Sequence, residues 1–209
     1  SGTVYYYDGI QVPGMFHLAL GPAVIHPALI DEVNFFPSVA PARFGRFTGG
    51  VLAGGPSPRP PPERVSGELE LRLIDLTGKV EVPVLGGSLT MSGRYGYPGP
   101  VISLFSPRSS LDYWDYQARL RLPISSVDRF ELVWLGSYDL AGFQDSINVQ
   151  RQYVLEFHRA EARLIRTTGP YELGAAVQGG FERSKIDSTM RVQALRVGPR
   201  LWASYRGSH

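Results

Sequence analysis

The chain has 209 residues and a mass of 23.0 kDa, and 43% of it is apolar, enough for one large domain or two small ones with a buried core and too much for a disordered chain. Twenty-one basic residues against 19 acidic ones leave a formal charge of +2 with no block of like charge, which argues against a nucleic-acid partner. Only Lys79 and Lys185 are lysines, so the other 19 cations are arginines, the residue better suited to fixed, partly buried ion pairs.

The absence of cysteine removes disulfide frameworks, thiolate zinc sites and cysteine nucleophiles together. No stretch reaches the roughly 18 consecutive apolar residues of a membrane-spanning helix, and Ser1-Gly2-Thr3 does not open a signal peptide. Transmembrane barrels survive this filter, because their strands need only about 9–11 residues of alternating polarity.

Twenty-four glycines and 17 prolines break nearly every window in which a long helix could form, so the chain reads as all-β. Val4-Tyr5-Tyr6-Tyr7, Asp8-Gly9 and Ile10-Gln11-Val12 read as a short hairpin. His26–Val33, with Pro27 in a first-turn position, predicts one or two helical turns and the only helix, before Asn34-Phe35-Phe36-Pro37 returns to extended chain. The proline-rich stretch from Gly54 to Arg64 is a loop.

From Val65 onward, strand and turn alternate. Leu89, Met91, Gly93, Tyr95 and Tyr97 oppose Thr90, Ser92, Arg94 and Gly96; Tyr116, Ala118, Leu120 and Leu122 oppose Gln117, Arg119 and Arg121. Phe130, Leu132, Trp134 and Tyr138 share one side, although Val133 and Leu135 make the other less polar than alternation requires. Leu173, Ala175, Val177, Gly179 and Phe181 oppose Glu172, Gln178 and Glu182. Three segments slip phase: Leu69–Leu73 into Ile74–Val82, Tyr153–Phe157 into Ala160–Leu164, and Met190–Ala194 into Leu195–Leu201. A bulge, or a strand running past its apolar zone, would produce each slip.

Short connections near 85–87, 124–128 and 168–170 alternate with long ones near 98–112, 140–152 and 184–188, the layout of an outer-membrane barrel with short turns on one side and long loops on the other. Aromatic residues near strand ends, Tyr95, Tyr97, Tyr113, Trp114, Trp134, Tyr138, Trp202 and Tyr205, with Tyr116 and Tyr153 beside them, are candidates for the interfacial girdle of such a barrel.

The histidines, His17, His26, His158 and His209, have no ligand spacing, so no metal site and no cofactor is expected. No nucleophile elbow, phosphate loop or dinucleotide fingerprint occurs, and Gly45-Arg46-Phe47-Thr48-Gly49-Gly50 lacks the lysine of a phosphate loop, so the chain does not read as an enzyme.

Three runs taken together, Tyr5–Pro13 with its Asp8-Gly9, Pro27–Pro37, and Pro41–Val51 with Ala42-Arg43-Phe44-Gly45 and Gly49-Gly50-Val51, resemble the C-terminal half of the plug domain of TonB-dependent outer-membrane receptors. Ser38 stands where that family usually has glycine after the proline. Leu73-Ile74-Asp75, Glu81–Gly87, Asp115–Leu120 and Asp128–Leu132 are similar to the first barrel strands of the arginine-rich receptors of some Gram-negative bacteria.

The resemblance implies part of a large antiparallel transmembrane β-barrel of about 22 strands with a partial N-terminal plug. Residues 1–50 would belong to the plug, and 51–209 would carry about eight strands, at Phe47–Gly55 and near 65–84, 88–98, 113–123, 129–139, 152–167, 171–183 and 188–206. The chain would then lack a leader, the TonB-binding segment and some fourteen strands, and the rest of the barrel or partner chains would close it, since bare strand edges are costly in lipid. Its implied partners are TonB, through the missing segment, and the lipid bilayer. Its implied function is energy-coupled uptake of an unidentified ligand across the bacterial outer membrane. The alternatives are a receptor-like barrel serving structure, adhesion or motility, and a soluble β-sandwich binding module.

On that reading Arg43, Gly45, Arg46, Gly49 and Gly50 pack plug against wall, and Arg94, Arg119 and Arg121 face the lumen. Glu68, Glu70, Glu131 and Glu172 are the candidate partners of the arginines.

Overall fold

The computed structural model describes residues 2–19, 21–45, 49–56, 59–104, 108–144, 150–187 and 190–207. It divides into two units, Ser1–Pro60 and Pro61–His209.

The N-terminal unit holds a four-stranded sheet of β1 (Val4–Tyr7), β2 (Ile10–Val12), β3 (Glu32–Phe36) and β4 (Val51–Gly55), in the order β2-β1-β4-β3. Asp8 and Gly9 both take positive φ, 51° and 79°, as the expected two-residue hairpin turn demands. Between β2 and β3, Pro27–Leu29 makes one 3-10 turn, and its first free amide, Ala28 N–H, donates to Nδ1 of His26. β4 runs parallel to β1 and antiparallel to β3, so the strand expected to open the barrel wall belongs instead to the N-terminal sheet. Phe47 and Thr48, part of that expectation, lie outside the described residues. Tyr7, Ile10, Val12, Val24, Ile25, Phe44 and Val51 are buried in this unit, and the Tyr6 hydroxyl donates to the Phe44 carbonyl at 2.8 Å. Burial pushes the Tyr6 phenol above its ordinary pKa.

The second unit is an eight-stranded antiparallel meander: β5 (Ser66–Leu71), β6 (Asp75–Val84), β7 (Gly87–Gly96), β8 (Ser109–Pro123), β9 (Asp128–Gln144), β10 (Gln150–Thr168), β11 (Tyr171–Ile186) and β12 (Met190–Tyr205). Every strand pairs with its sequence neighbours and the sheet is open, β5 and β12 forming its edges. An all-β fold is therefore present, and among the described residues the sheet does not close.

Two expectations change here, and for a third one of its two readings holds. The segment near 65–84 is two strands, and its phase slip is the 72–74 turn, where Arg72 N–H donates to the Asp75 carbonyl. For the slips in β10 and β12 the second of the two readings holds, a strand running past its apolar zone, since both strands keep one unbroken register over their whole length. The helix expected at His26–Val33 is only that 3-10 turn, and the one described α-helix, Pro98–Ser103, lies in the 97–108 connection.

Strands reach further than the sequence implies, so the connections after β9 and β11 shrink to 145–149 and 187–189. The turns at the other end are 85–86, 124–127 and 169–170. Leu85 and Gly86 have φ of 49° and 76°, the mirror-image turn that matches strand twist, yet an exposed leucine sits where asparagine is favoured. Leu85→Asn is expected to stabilise the protein by about 0.5–1 kcal/mol by relieving left-handed backbone cost, read as a raised thermal midpoint.

Candidate functional site

Cross-strand partners share a face, so the registers sort every side chain of the meander onto one of two sides. One row reads Leu69, Gly78, Gly93, Tyr116, Gly136, His158, Phe181 and Leu195 from β5 to β12. The rows toward the short turns read Gly67, Val80, Met91, Ala118, Trp134, Ala160, Gly179 and Val197, then Val82, Leu89, Leu120, Leu132, Ala162, Val177 and Pro199. This face is apolar across all eight strands.

The opposite face is charged. Its rows include Thr77, Arg94, Asp115 and Ser137; Lys79, Ser92, Gln117, Leu135, Arg159 and Arg196; and Ser88, Arg121, Glu131, Arg163 and Arg200.

Burial runs against the usual order for a protein in water. Leu195 and Leu201 on the apolar face are 79% and 80% exposed, whereas Glu161 and Asp115 on the charged face are 1% and 3% exposed. Buried charge is sustained only by partners. Arg121, Glu131, Arg163, Glu161 and Arg200 make one chain of ion pairs from β8 to β12, with N···O distances of 3.7, 3.5, 2.5 and 2.5 Å. Arg200 reaches Glu161 across β11, where its register position is taken by the small Ala176. Arg129 joins Glu131 to Glu172, and Glu182 binds both Arg159 and Arg196. Toward the long connections, Arg94 pairs with Asp115, Gln117 bridges Asp115 and Ser92, and the Tyr113 hydroxyl donates to Asp75.

Large side chains lie over glycines on the partner strand. The Trp202 ring covers Gly174, the Tyr113 ring covers Gly96 and the Arg159 stem covers Gly180, each close enough that a Cβ on the glycine would clash. On the apolar face, Gly136 gives the same room to Tyr116 and His158, whose hydroxyl and Nδ1 lie 2.8 Å apart. His158 completes an aromatic cluster with Trp114 and Phe181, and Trp114 stacks on Tyr138 at 5.7 Å.

Of the expected arginines, Arg94, Arg119 and Arg121 all lie on the charged face. Glu131 and Glu172 carry arginine partners there, while Glu70 pairs with Arg72 beside the 72–74 turn, which raises the Arg72 pKa. Of the expected aromatic girdle, Tyr95, Trp114, Trp134, Tyr138 and Tyr205 are on the apolar face. Tyr113 and Trp202 are on the charged face, because their strand parity and the glycines opposite place them there. The Tyr97 hydroxyl donates to the Arg72 carbonyl at 2.5 Å, tying down the 72–74 turn.

Arg43 lies over the Phe44 ring, Gly45 has φ of 84°, and Gly49 and Gly50 abut Gly2 and Thr3 of their own unit; Arg46 lies outside the described residues. His17 and His26 are buried in the N-terminal unit and His209 lies outside the described residues. Among the described residues no group of three His, Asp or Glu could hold a metal ion, and no helix is long and apolar enough to cross a membrane.

Glu161, the hub of the ion-pair chain, Glu182, which holds Arg159 and Arg196, and Arg159, Arg163 and Arg200 are absent from the expected set. Their signal was present as parity: charged residues take alternate positions in Arg159-Ala160-Glu161-Ala162-Arg163, but the phase slip hid which face they occupy. No family model matches the chain, and comparison with curated proteins and with solved structures found no match.

Proposed function

We propose that this chain supplies part of the wall of an outer-membrane β-barrel of the TonB-dependent receptor kind, and that the barrel takes up a ligand without performing chemistry on it. The observation that carries the membrane part is the inverted polarity of the eight-stranded sheet. Its exposed face is an apolar band, from Leu122 to Trp114 on β8, from Tyr171 to Phe181 on β11 and from Leu195 to Tyr205 on β12. Those spans are the roughly 9–11 residues that cross hydrocarbon when strands are tilted. The band shifts toward the short turns between β8 and β12, the diagonal that tilt produces in a sheet whose rows run perpendicular to its strands.

The charged face then looks into a wet or protein-filled interior, where arginine–carboxylate pairs hold one another in place. Beyond each band the apolar-facing positions turn polar, with Asp112 on β8, Glu156 on β10, Arg183 on β11 and Gln193 on β12. The open edges β5 and β12 call for further strands from the same gene product or from partner chains, because unpaired backbone in lipid costs several kcal/mol per group. The plug role of residues 1–50, the dependence on TonB and transport itself rest on the resemblance of Tyr5–Pro13, Pro27–Pro37 and Pro41–Val51.

The test is made on the full-length gene product. It is expected in the outer-membrane fraction after a urea wash, with migration on a detergent gel that changes on heating. A product soluble without detergent overturns the membrane reading. Retention in the membrane with ligand uptake unaffected by loss of TonB overturns transport and favours a structural barrel.

A further inference from the structure

Beyond the last apolar row on β11 and β12, which is Phe181 opposite Leu195, the same face continues with Arg183 opposite Gln193 and then Lys185 opposite Arg191. Two cations directly opposite on antiparallel strands have Cβ atoms about 4.5–5.5 Å apart, an arrangement that destabilises a hairpin unless an anion intervenes. The register is held by sixteen continuous pairs on each side of β11, so the two side chains cannot separate by slipping.

Of the neighbouring carboxylates, Glu156 is already ion-paired and Asp187 is engaged through one oxygen. Glu156, opposite Arg183 on β10, pairs with Arg183 at 2.6 Å and with His158 at 3.3 Å. Asp187 in the following turn accepts the Gln152 amide on Oδ1 at 2.9 Å. Among the described residues, no carboxylate lies within ion-pair distance of Lys185 or Arg191. One of the chain's only two lysines therefore stands here with an arginine as its cross-strand neighbour.

Resting on the membrane reading above, we infer that Lys185 and Arg191, flanked by Gln193 and Arg183, form a site for the phosphate-monoester headgroup of a membrane amphiphile. Depth supports the assignment. At about 3.3 Å per residue and a tilt near 40°, Arg183 lies about 5 Å past the apolar boundary, within the roughly 5–7 Å headgroup zone, and Lys185 with Arg191 lie about 10 Å past it, just outside that zone, from which their long side chains reach back to headgroups. The acyl chains of that amphiphile would lie along Phe181, Leu195 and Val197 on the same face. A monoester carries up to two charges and three free oxygens, enough to engage an ammonium and a guanidinium at once, which a diester does less well.

The test uses the full-length protein in detergent micelles, titrated separately with phosphatidic acid, phosphatidylglycerol, phosphatidylcholine and inorganic phosphate, with bound lipid counted by native mass spectrometry. Phosphatidic acid is expected to bind most tightly, and K185Q/R191Q is expected to lose about ten- to thirtyfold in its affinity while keeping heat-modifiable migration. Should the double variant fail to fold, K185Q alone is expected to lose about fivefold. Equal binding of phosphatidic acid by the unaltered protein and the variant overturns the site and leaves the barrel reading standing. Inorganic phosphate binding as tightly as phosphatidic acid, and equally sensitive to K185Q/R191Q, overturns the lipid assignment in favour of a free-anion site. Failure of the unaltered protein to insert into phosphatidylcholine vesicles overturns the membrane reading and this inference with it.

Discussion

Val177→Arg in the full-length protein is expected to cost about 2–4 kcal/mol when folding is followed by denaturant titration in lipid vesicles. Val177 is 60% exposed near the middle of the β11 band, with Ala162 and Pro199 as its cross-strand neighbours. In water, a substitution at such an exposed position changes stability by no more than about 0.5 kcal/mol. In hydrocarbon the same guanidinium must be dragged to the interface or left poorly solvated. Gln193→Arg, on the same face but beyond the band, is the depth control and is expected to cost about 0–1 kcal/mol. A Val177→Arg protein as stable as its parent removes the membrane assignment at one stroke.

Glu161→Gln is the second large effect, expected to destabilise by about 3 kcal/mol. The carboxylate is 1% exposed and receives Arg163 Nε and Arg200 at 2.5 Å each. Removing one partner of a buried pair leaves an uncompensated cation, at about 3–5 kcal/mol. Arg163 is nearly buried, but the Arg200 side chain is 37% exposed and recovers part of its hydration, which places the result at the low end. Replacing the three together, Glu161→Leu with Arg163→Met and Arg200→Met, is expected to restore stability to within about 1 kcal/mol of the parent, because no charge is then stranded. The same denaturant titration reads both variants. A loss below about 0.5 kcal/mol for Glu161→Gln would mean that water reaches the network freely and that its pairs do not hold the sheet.

The two effects probe opposite faces of one sheet. A sheet in water buries its apolar side and solvates its charges. Here, Leu201 is exposed while Arg94 and Asp115 are buried and paired. That reversal is energetically tolerable only if the exposed side meets something apolar, since exposed apolar patches larger than a few hundred Å² mark an interface. An interface with one partner protein would tend to be local. An apolar face that continues across the sheet, with a height of about 9–11 residues on β8, β11 and β12, fits the extended surface of a bilayer.

Alternation was legible wherever a strand keeps one polarity per face along its length, as in Leu89–Tyr95 and Tyr116–Leu122. It failed in β10 and β12 because each strand outruns the apolar band. In β10, the charged-face parity carries Tyr153, Leu155 and Phe157 toward the long connections and Arg159, Glu161 and Arg163 further down. Polarity therefore exchanges sides within a straight strand, and a one-dimensional pattern cannot separate that exchange from a bulge. Val133 and Leu135, which blurred the alternation of β9, are buried on the charged face, where their cross-strand neighbours are Arg119 and Glu161, and Gln117 and Arg159.

Other differences have a shared cause in partner choice. Nothing in Val51-Leu52-Ala53-Gly54-Gly55 says that it pairs in parallel with Val4–Tyr7; only the contact across some fifty residues decides it. Tyr113 and Trp202 look like girdle residues by composition, yet Gly96 and Gly174 on the adjacent strands leave room for their rings on the charged side.

By itself, the sequence determined the β class, the hairpin at Asp8-Gly9, the turns at the short end and the two polarities of most strands, because those follow from local backbone preference and a period of two. Tertiary structure alone decided which residues share a row, and with that the Arg121–Glu131–Arg163–Glu161–Arg200 chain, the cations at Lys185 and Arg191, and the placement of β4. The physical reason is that register is set by turn geometry and by the polarity of both faces summed over entire paired strands, and a shift of one residue would carry every side chain to the other face.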